Sequence, residues 1–261
     1  MIKVGVSATD RFNGVVGAIA FIGDVWASCT YAAANPRKIR WRDVLYYLDV
    51  CGRQSVPIVC CICFLMGVIL AFQAAVQFKN YGAEIFVADL LAFSLLKELG
   101  PLMVAIIATG RAGSSFAAEI GTMKVDEEIN ALETMGIQPT RYLVVPKLMA
   151  MIVSLPLLAG IGNFFGLLGG LAVAVSYMGL PAMTYINRTI AVLSPSVLYM
   201  GVLKCVPFAI LITLIGCHCG FVADSDSQGV GRATTRAVVA GILAIVIADA
   251  ILTLIYMQWG F

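Results

Sequence analysis

Long apolar stretches separated by short polar connections dominate the hydrophobic pattern of the chain. A helix needs about 20 predominantly apolar residues to cross the hydrocarbon core of a membrane. Five stretches reach this length, and charged residues within them are few. The pattern predicts an all-α integral membrane protein with five transmembrane helices, at about 56–78, 87–115, 146–177, 195–222 and 238–259.

The first 55 residues follow a different pattern. We interpret residues 1–55 as a helical segment at the membrane surface, ahead of a five-span domain over 56–261. Residues 12–34 are long enough to span, but Asp24 interrupts them and three glycines weaken the helix. The basic and aromatic cluster that follows, 37–42, suits an anionic membrane surface. The pattern therefore favours an interfacial amphipathic helix over 12–34, and a true span is the alternative.

The composition supports a membrane protein. Hydrophobic residues make up 61% of the 261 residues and charged residues only 12%, with a mean hydropathy of +0.94. A soluble domain carries about 25% charged residues, so this chain lacks the polar surface that a soluble fold needs. The net charge of +2 gives no excess for binding a polyanion, and no nucleic-acid partner is expected.

The basic residues predict an orientation. Of the 17 basic residues, Lys97 and Lys204 lie within spans, and only Lys79 and Arg188 fall on one side of a five-span arrangement. All the others fall on the opposite side, which is the cytoplasmic side by the positive-inside rule. The N-terminus is therefore expected in the cytoplasm and the C-terminus on the other side.

Neither a metal site nor a nucleotide-binding loop is predicted. The cluster Cys217-His218-Cys219 contains the only histidine and lacks the separated ligand pairs of zinc sites. No Gly-Lys dipeptide occurs in the chain, so the phosphate-binding loop of an ATPase is missing from it. If nucleotide hydrolysis drives this protein, another chain has to carry it out.

Charged residues inside the predicted spans are the most informative feature. Lys97 and Glu98 lie in the second span just before Pro101, which cannot donate a backbone hydrogen bond to the carbonyl of Lys97. Lys204 and Asp249, in the fourth and fifth spans, are natural counter-charges. Such charges normally face a cavity or a partner. Three readings stay open: a substrate pathway, a structural ion network, and a proton relay in an ion-coupled secondary transporter.

The connection between the second and third spans predicts a short amphipathic helix. Val125, Ile129 and Leu132 form an apolar stripe, and acidic residues cluster around its first turn. Anionic lipid would repel this acidic helix, so a groove on another protein suits it better. Packing against the chain's own spans is the alternative.

Glycines recur every four residues on one face of the third span, at 162, 166 and 170. Small residues at this spacing let helices approach closely within lipid. The pattern predicts tight helix packing, either within one chain or between two copies.

Several short motifs resemble the MlaE family, the permease subunits of Mla/Mce-type ABC transporters that move phospholipids across the envelope of bacteria with two membranes. The resemblance extends from about residue 45 to the C-terminus, and the motifs occur in the family's order. They are SLLKELGP at 94–101, ATGRAGS at 108–114, AEIG at 118–121, LETM at 132–135, SLPLL at 154–158 and GRATTR at 231–236.

The resemblance implies a set of partners and a location. The permease is expected in the bacterial inner membrane as a homodimer, with an interfacial helix before its five spans. A cytoplasmic ATPase, which binds ATP and magnesium, would dock on a coupling helix between the second and third spans. A hexamer of MCE-domain subunits would lie on the periplasmic side, and a STAS-domain protein often joins the ATPase. The permease itself is expected to bind no cofactor and to catalyse no reaction.

The resemblance also implies three groups of functional residues. A lipid pocket between the two copies corresponds to Leu70, Gln73, Val76, Gln77 and Tyr81. The family's intramembrane charges correspond to Lys97, Glu98, Lys204 and Asp249. The coupling helix corresponds to about 119–136, with contact residues Glu119, Lys124, Asp126, Glu127, Glu128, Ile129, Leu132 and Glu133.

Overall fold

A computed structural model describes residues 2–35, 37, 39–79 and 86–258. Within these ranges the regular structure is helical throughout. A short turn of 3-10 helix, Arg53–Ser55, joins the second helix to the third. In chain order the helices are α1 Ile2–Ala34, α2 Trp41–Cys51, α3 Val56–Lys79, α4 Phe86–Val125, α5 Glu128–Thr134, α6 Thr140–Ser176, α7 Ala182–Val192, α8 Pro195–Phe221 and α9 Ser227–Gln258.

Among the described residues, five helical segments are long and apolar enough to cross a membrane, which confirms the predicted all-α membrane protein. They are Trp41–Phe78, which combines α2 and α3, followed by α4, α6, α8 and α9. The apolar part of α1, Val16–Ala32, is shorter than these spans. Lipid offers no hydrogen bonds to the backbone, so helices that satisfy their own amides are the expected solution.

One face of α1 packs on the bundle. Phe21, Val25, Ser28 and Ala32 are buried while most of the residues between them are exposed. The Phe21 ring lies 5.3 Å from the His218 ring near the end of α8. The spacing of these buried residues, close to 3.6, is that of an amphipathic helix. That α1 lies in the interface and does not span the membrane stays a prediction.

The glycine ridge of the third span closes the contact between α3 and α6. A Cβ atom on Gly67 of α3 would lie 1.9 Å from the carbonyl oxygen of Gly166, and one on Gly169 would lie 2.2 Å from the carbonyl oxygen of Phe64. Such backbone contact is possible only without side chains at these positions. The ridge therefore serves helix packing within one chain.

The last span begins earlier than its apolar residues predict. Helix α9 starts at Ser227 rather than near 238, and the Asp226 carboxylate accepts a hydrogen bond of 2.9 Å from the backbone N–H of Gly229. Gly229, Ala233 and Ala237 form its buried stripe. One apolar face is enough where a helix packs on protein, so the hydropathy of residues 227–237 stays low although they are helical.

Helix α7, between α6 and α8, was not predicted. It is amphipathic, with Tyr185 and Thr189 buried, and the Tyr185 hydroxyl donates to the carbonyl of Leu167 at 3.3 Å. Arg188 on its other face pairs with Asp89 at 3.6 Å. These contacts fix α7 at the end of the bundle where α3 ends and α4 begins. The other end, where α4 ends and α6 begins, is called the basic end below.

Candidate translocation site

A π-helical turn at Leu95–Leu99 interrupts α4 directly before Pro101. The backbone N–H of Gly100 bonds to the carbonyl of Leu95, five residues back, so the turn is wider than an α-helical one. Gly100 has no room for a side chain, because a Cβ atom would lie 1.7 Å from Oδ1 of Asn163. The turn carries two charged residues, Lys97 and Glu98.

Lys204 is the centre of a charged cluster in the middle of the bundle. Its side chain is 0% exposed, and its ammonium group bonds to Glu98, to Asp249 at 2.9 Å and to the Thr253 hydroxyl at 2.8 Å. Three acceptors satisfy the three N–H groups of the ammonium. We call Glu98, Lys204, Asp249 and Thr253 the mid-span cluster.

Close helix packing positions Lys204. Three residues before it, Gly201 lies where a Cβ atom would be 2.3 Å from the carbonyl oxygen of Leu96 in α4. The two helices therefore almost touch beside the π-helical turn, and this brings Lys204 to Glu98. The sequence pattern singled out three members of the cluster but missed Thr253, because a lone threonine in an apolar helix gives no signal.

Lys97 lies outside the mid-span cluster. Its ammonium is 5.0 Å from the centre of the Phe93 ring, one turn earlier on α4, a distance typical of a cation–π contact. Lys204 thus has two carboxylate partners in the cluster. The side chains of Glu98 and Asp249 are 28% and 15% exposed, so both reach the edge of the bundle.

Three of the predicted lipid-pocket residues line one small cavity. Leu70, Gln73 and Gln77 of α3 face residues of α4 around a volume of about 170 Å³. Val76 is 59% exposed and points away from it, and Tyr81 lies outside the described residues. Pockets that enclose small ligands measure about 300–1,000 Å³, so this cavity alone is too small for a phospholipid.

A family model described as "Permease MlaE" matches residues 44–255 of the chain. The chain belongs to the MlaE permease family. A probable ABC transporter permease protein of Rickettsia bellii is 37% identical to it, covering 79% of this chain and 80% of the relative.

Two relatives with more specific names are also similar. The intermembrane phospholipid transport system permease protein MlaE of Haemophilus influenzae is 35% identical, with 82% of each chain covered. The chloroplastic protein TRIGALACTOSYLDIACYLGLYCEROL 1 of Arabidopsis thaliana is 29% identical over 85% of this chain and 63% of its own length. The family resemblance read from the motifs is thereby confirmed.

This MlaE permease has a second buried cation, Lys147, at the basic end. Its side chain is 0% exposed, and its ammonium group lies 3.0 Å from Glu119 and 3.0 Å from the Tyr47 hydroxyl. The Tyr47 hydroxyl in turn donates to Glu119 at 2.6 Å. The network joins α2, α4 and α6.

Glu119 belongs to α4 and not to a separate coupling helix. Its carboxylate bonds to Lys147 and Tyr47, although 36% of its side chain is exposed. Its role as a contact of the ATPase stays a prediction. The sequence pattern placed Lys147, at the start of the third span, among the basic residues of the cytoplasmic side. Only the fold reveals that three helices cover it.

The predicted helix over 119–136 is divided in two. Helix α4 continues to Val125, and Lys124 near its end donates to the carbonyl of Phe221 at 2.8 Å. Glu127 then adopts a left-handed conformation, with φ of 58°, before α5 begins at Glu128. Only α5, seven residues long, is a separate helix, and a second left-handed residue, Gly136, follows it.

The apolar stripe of α5 faces the protein's own core. Ile129 and Leu132 are each 8% exposed, so neither is available to a partner's groove in this structure. The acidic residues of this connection lie on the outside instead: Asp126, Glu127, Glu128 and Glu133 are all exposed. The predicted contact set thus separates into a buried apolar pair and an exposed acidic surface.

Proposed function

We propose that this chain is the membrane-spanning permease subunit of an ABC transporter that moves phospholipids between the inner membrane and a periplasmic MCE-domain shuttle. The family match over residues 44–255 carries the proposal, together with the Haemophilus influenzae relative, which is a phospholipid transport permease by name. The chain makes and breaks no bond in the lipid and binds no cofactor. ATP and magnesium bind to a separate ATPase subunit.

A second copy of the chain completes the lipid pocket in this proposal. The cavity beside Gln73 and Gln77 holds about 170 Å³, while Ile69, Phe72 and Val76 on the same helix are exposed. Exposed apolar side chains beside two amides suit an amphipathic ligand enclosed between two equal surfaces. Two such half-sites would give the volume that one chain lacks.

The ATPase docks at the connection between α4 and α5, which we call the acidic surface after its exposed residues Asp126, Glu127, Glu128 and Glu133. A basic groove on the ATPase is the complementary partner. Helix α4 runs from this surface, through a π-helical turn at Thr109–Gly113, to the π-helical turn at Leu95–Leu99. Movement of the ATPase can therefore reach the mid-span cluster along one helix.

The basic end is cytoplasmic in this proposal. Arg40, Arg141 and Lys124 lie there, and the positive-inside rule places such residues in the cytoplasm. The C-terminus is then periplasmic, on the side where an MCE-domain hexamer would receive or deliver the lipid. A STAS-domain protein would bind to the ATPase and not to this chain.

The proposal is tested by co-purification and by lipid transfer. The permease is expressed with its ATPase and MCE-domain subunits, purified, and reconstituted with labelled phospholipid. Labelled lipid should pass between the complex and the soluble MCE domain only when ATP is present. Transfer driven by a proton gradient without the ATPase would contradict the proposal and favour an ion-coupled secondary transporter.

Charge reversal tests the docking surface separately. The triple substitution Asp126→Lys, Glu127→Lys and Glu128→Lys should abolish co-purification of the ATPase, because it replaces attraction by repulsion. Asp224→Lys is the matched control, since Asp224 is an exposed carboxylate at the same end of the bundle. Retention of the ATPase by the triple variant would overturn this docking site.

A further inference from the structure

A polar cavity of about 420 Å³ lies at the basic end, between the end of α1, the residues before α2 and the start of α6. Two arginines line it, each stacked on a tyrosine. The guanidinium of Arg141 lies 3.7 Å from the centre of the Tyr31 ring, and that of Arg40 lies 4.3 Å from the Tyr142 ring. Stacking leaves the edges of a guanidinium free to donate hydrogen bonds.

Arg141 carries a buried donor without an acceptor. Its Nε atom is buried and has no hydrogen-bond partner, and none of the described carboxylates pairs with its guanidinium. Arg40, by contrast, pairs with Asp43 at 2.9 Å. The Arg141 guanidinium lines the cavity, and its fork matches the oxygens of a phosphate. The cavity therefore fits an anionic phosphate group.

An apolar cavity of about 470 Å³ adjoins the polar one. The two cavities share Ala32, Ile39 and Val145 in their walls. From there the apolar cavity runs between α1 and the helices α6 and α8, toward the middle of the bundle, with Trp26 and Ile152 in its lining. Each volume falls within the range of about 300–1,000 Å³ that is typical of ligand pockets.

We propose that the two cavities together bind one anionic glycerophospholipid from the leaflet at the basic end. The phosphate lies between Arg40 and Arg141, and an acyl chain lies in the apolar cavity beneath it. Anionic lipids concentrate where basic residues meet the membrane surface, which matches the polar cavity's position. The site lies at the opposite end of the bundle from the cavity beside Gln73, so it is distinct from the proposed transport pocket.

The bound lipid holds α1 against α6 beside the acidic surface. Gly136 and Ile137, which follow α5, also line the polar cavity. Lipid at this site thus contacts the segment that connects the acidic surface to α6. The proposal needs only that the chain lies in a membrane and does not depend on what it transports.

Native mass spectrometry of the full chain in detergent, with any subunits that co-purify, tests the proposal. Phosphatidylglycerol should be retained at concentrations about tenfold lower than phosphatidylcholine, because both lipids carry the phosphate but the two arginines repel the choline ammonium of phosphatidylcholine. Arg141→Gln should remove this preference. Arg236→Gln is the matched control: Arg236 is exposed at the same end, lines a different cavity and loses the same charge. Equal retention of both lipids by the unmodified chain would overturn the proposal.

A second variant and a second measurement guard against misfolding. Ile152→Trp fills the apolar cavity without changing any charge, and it should lower phosphatidylglycerol retention while circular dichroism stays unchanged. In a Trp41→Phe, Trp259→Phe background, phosphatidylglycerol with brominated acyl chains should quench the fluorescence of Trp26 at low lipid-to-protein ratios. Displacement of the lipid by inorganic phosphate, or normal retention by Ile152→Trp, would refute a lipid site.

Discussion

Replacing Lys204 with methionine should destabilise the bundle strongly. The lysine side chain is 0% exposed, and its ammonium is the shared partner of Glu98 and Asp249. Removing one partner of a buried ion pair typically costs about 3–5 kcal/mol, because the remaining charge is left uncompensated. Two carboxylates lose their cation here, so we expect a loss in the upper part of that range, about 4–5 kcal/mol.

Neutralising a carboxylate should be milder. Asp249→Asn leaves Lys204 paired with Glu98 and removes one charge-assisted hydrogen bond, which contributes about 1.5–3 kcal/mol. The free energy of unfolding of each variant can be measured by titration with a denaturing detergent in mixed micelles, followed by far-ultraviolet circular dichroism. Glu98→Gln serves as the matched variant on the other carboxylate.

Combined substitutions test whether uncompensated charge causes the loss of stability in Lys204→Met. The triple variant Lys204→Met, Glu98→Gln and Asp249→Asn carries no charge at these three positions, so it should be more stable than Lys204→Met alone. A loss below about 1 kcal/mol for Lys204→Met, as for an exposed ion pair, would refute the reasoning. So would a triple variant that is less stable than the single one.

Three further predictions concern packing, backbone strain and the second buried cation. Gly67→Ala should lower the free energy of unfolding by about 1–3 kcal/mol, because the new Cβ would lie 1.9 Å from the Gly166 carbonyl oxygen. The control Gly160→Ala has open space around it and should not destabilise the protein. Glu127→Gly should be neutral or stabilising by about 1 kcal/mol in the same titration, since φ is 58° there, and Glu127→Val should destabilise. Lys147→Met should lower the free energy of unfolding by about 3–5 kcal/mol, because it leaves Glu119 without its cation. Adding Glu119→Gln should restore part of this stability, and the double variant checks the reasoning.

The number of spans and their order were predictable because lipid imposes a simple rule. A helix that crosses the membrane is predominantly apolar over about 20 residues, so hydropathy locates it. The charged residues stood out for the same reason, since Glu98, Lys204 and Asp249 interrupt segments that otherwise carry few charges. Which charges pair depends on helix packing, and the closeness of α4 and α8 at Gly201 could not be read from the sequence.

Features at the ends of the helices were less predictable. Helix α7 and the first turns of α9 pack on protein with one face only, so their hydropathy resembles that of loops. The break at Glu127 depends on a backbone conformation that glutamate rarely adopts, and no residue type in the sequence signals it. Ile129 and Leu132 were correctly placed on one apolar stripe, but the sequence could not say that the chain itself covers them.

Helix α4 links the two buried lysines. Glu98 binds Lys204 on α8 in the middle of the bundle, and Glu119 binds Lys147 on α6 at the basic end. Between these two anchored carboxylates lies a second π-helical turn, Thr109–Gly113. Wide turns have weaker hydrogen-bond geometry than the α-helical turns around them, so bending of α4 concentrates there. Because Glu98 and Glu119 of α4 are tied to different helices, the proposed ATPase docking at the acidic surface would shift α6 relative to α8 or bend α4 at this turn. Either change would alter the surroundings of the mid-span cluster.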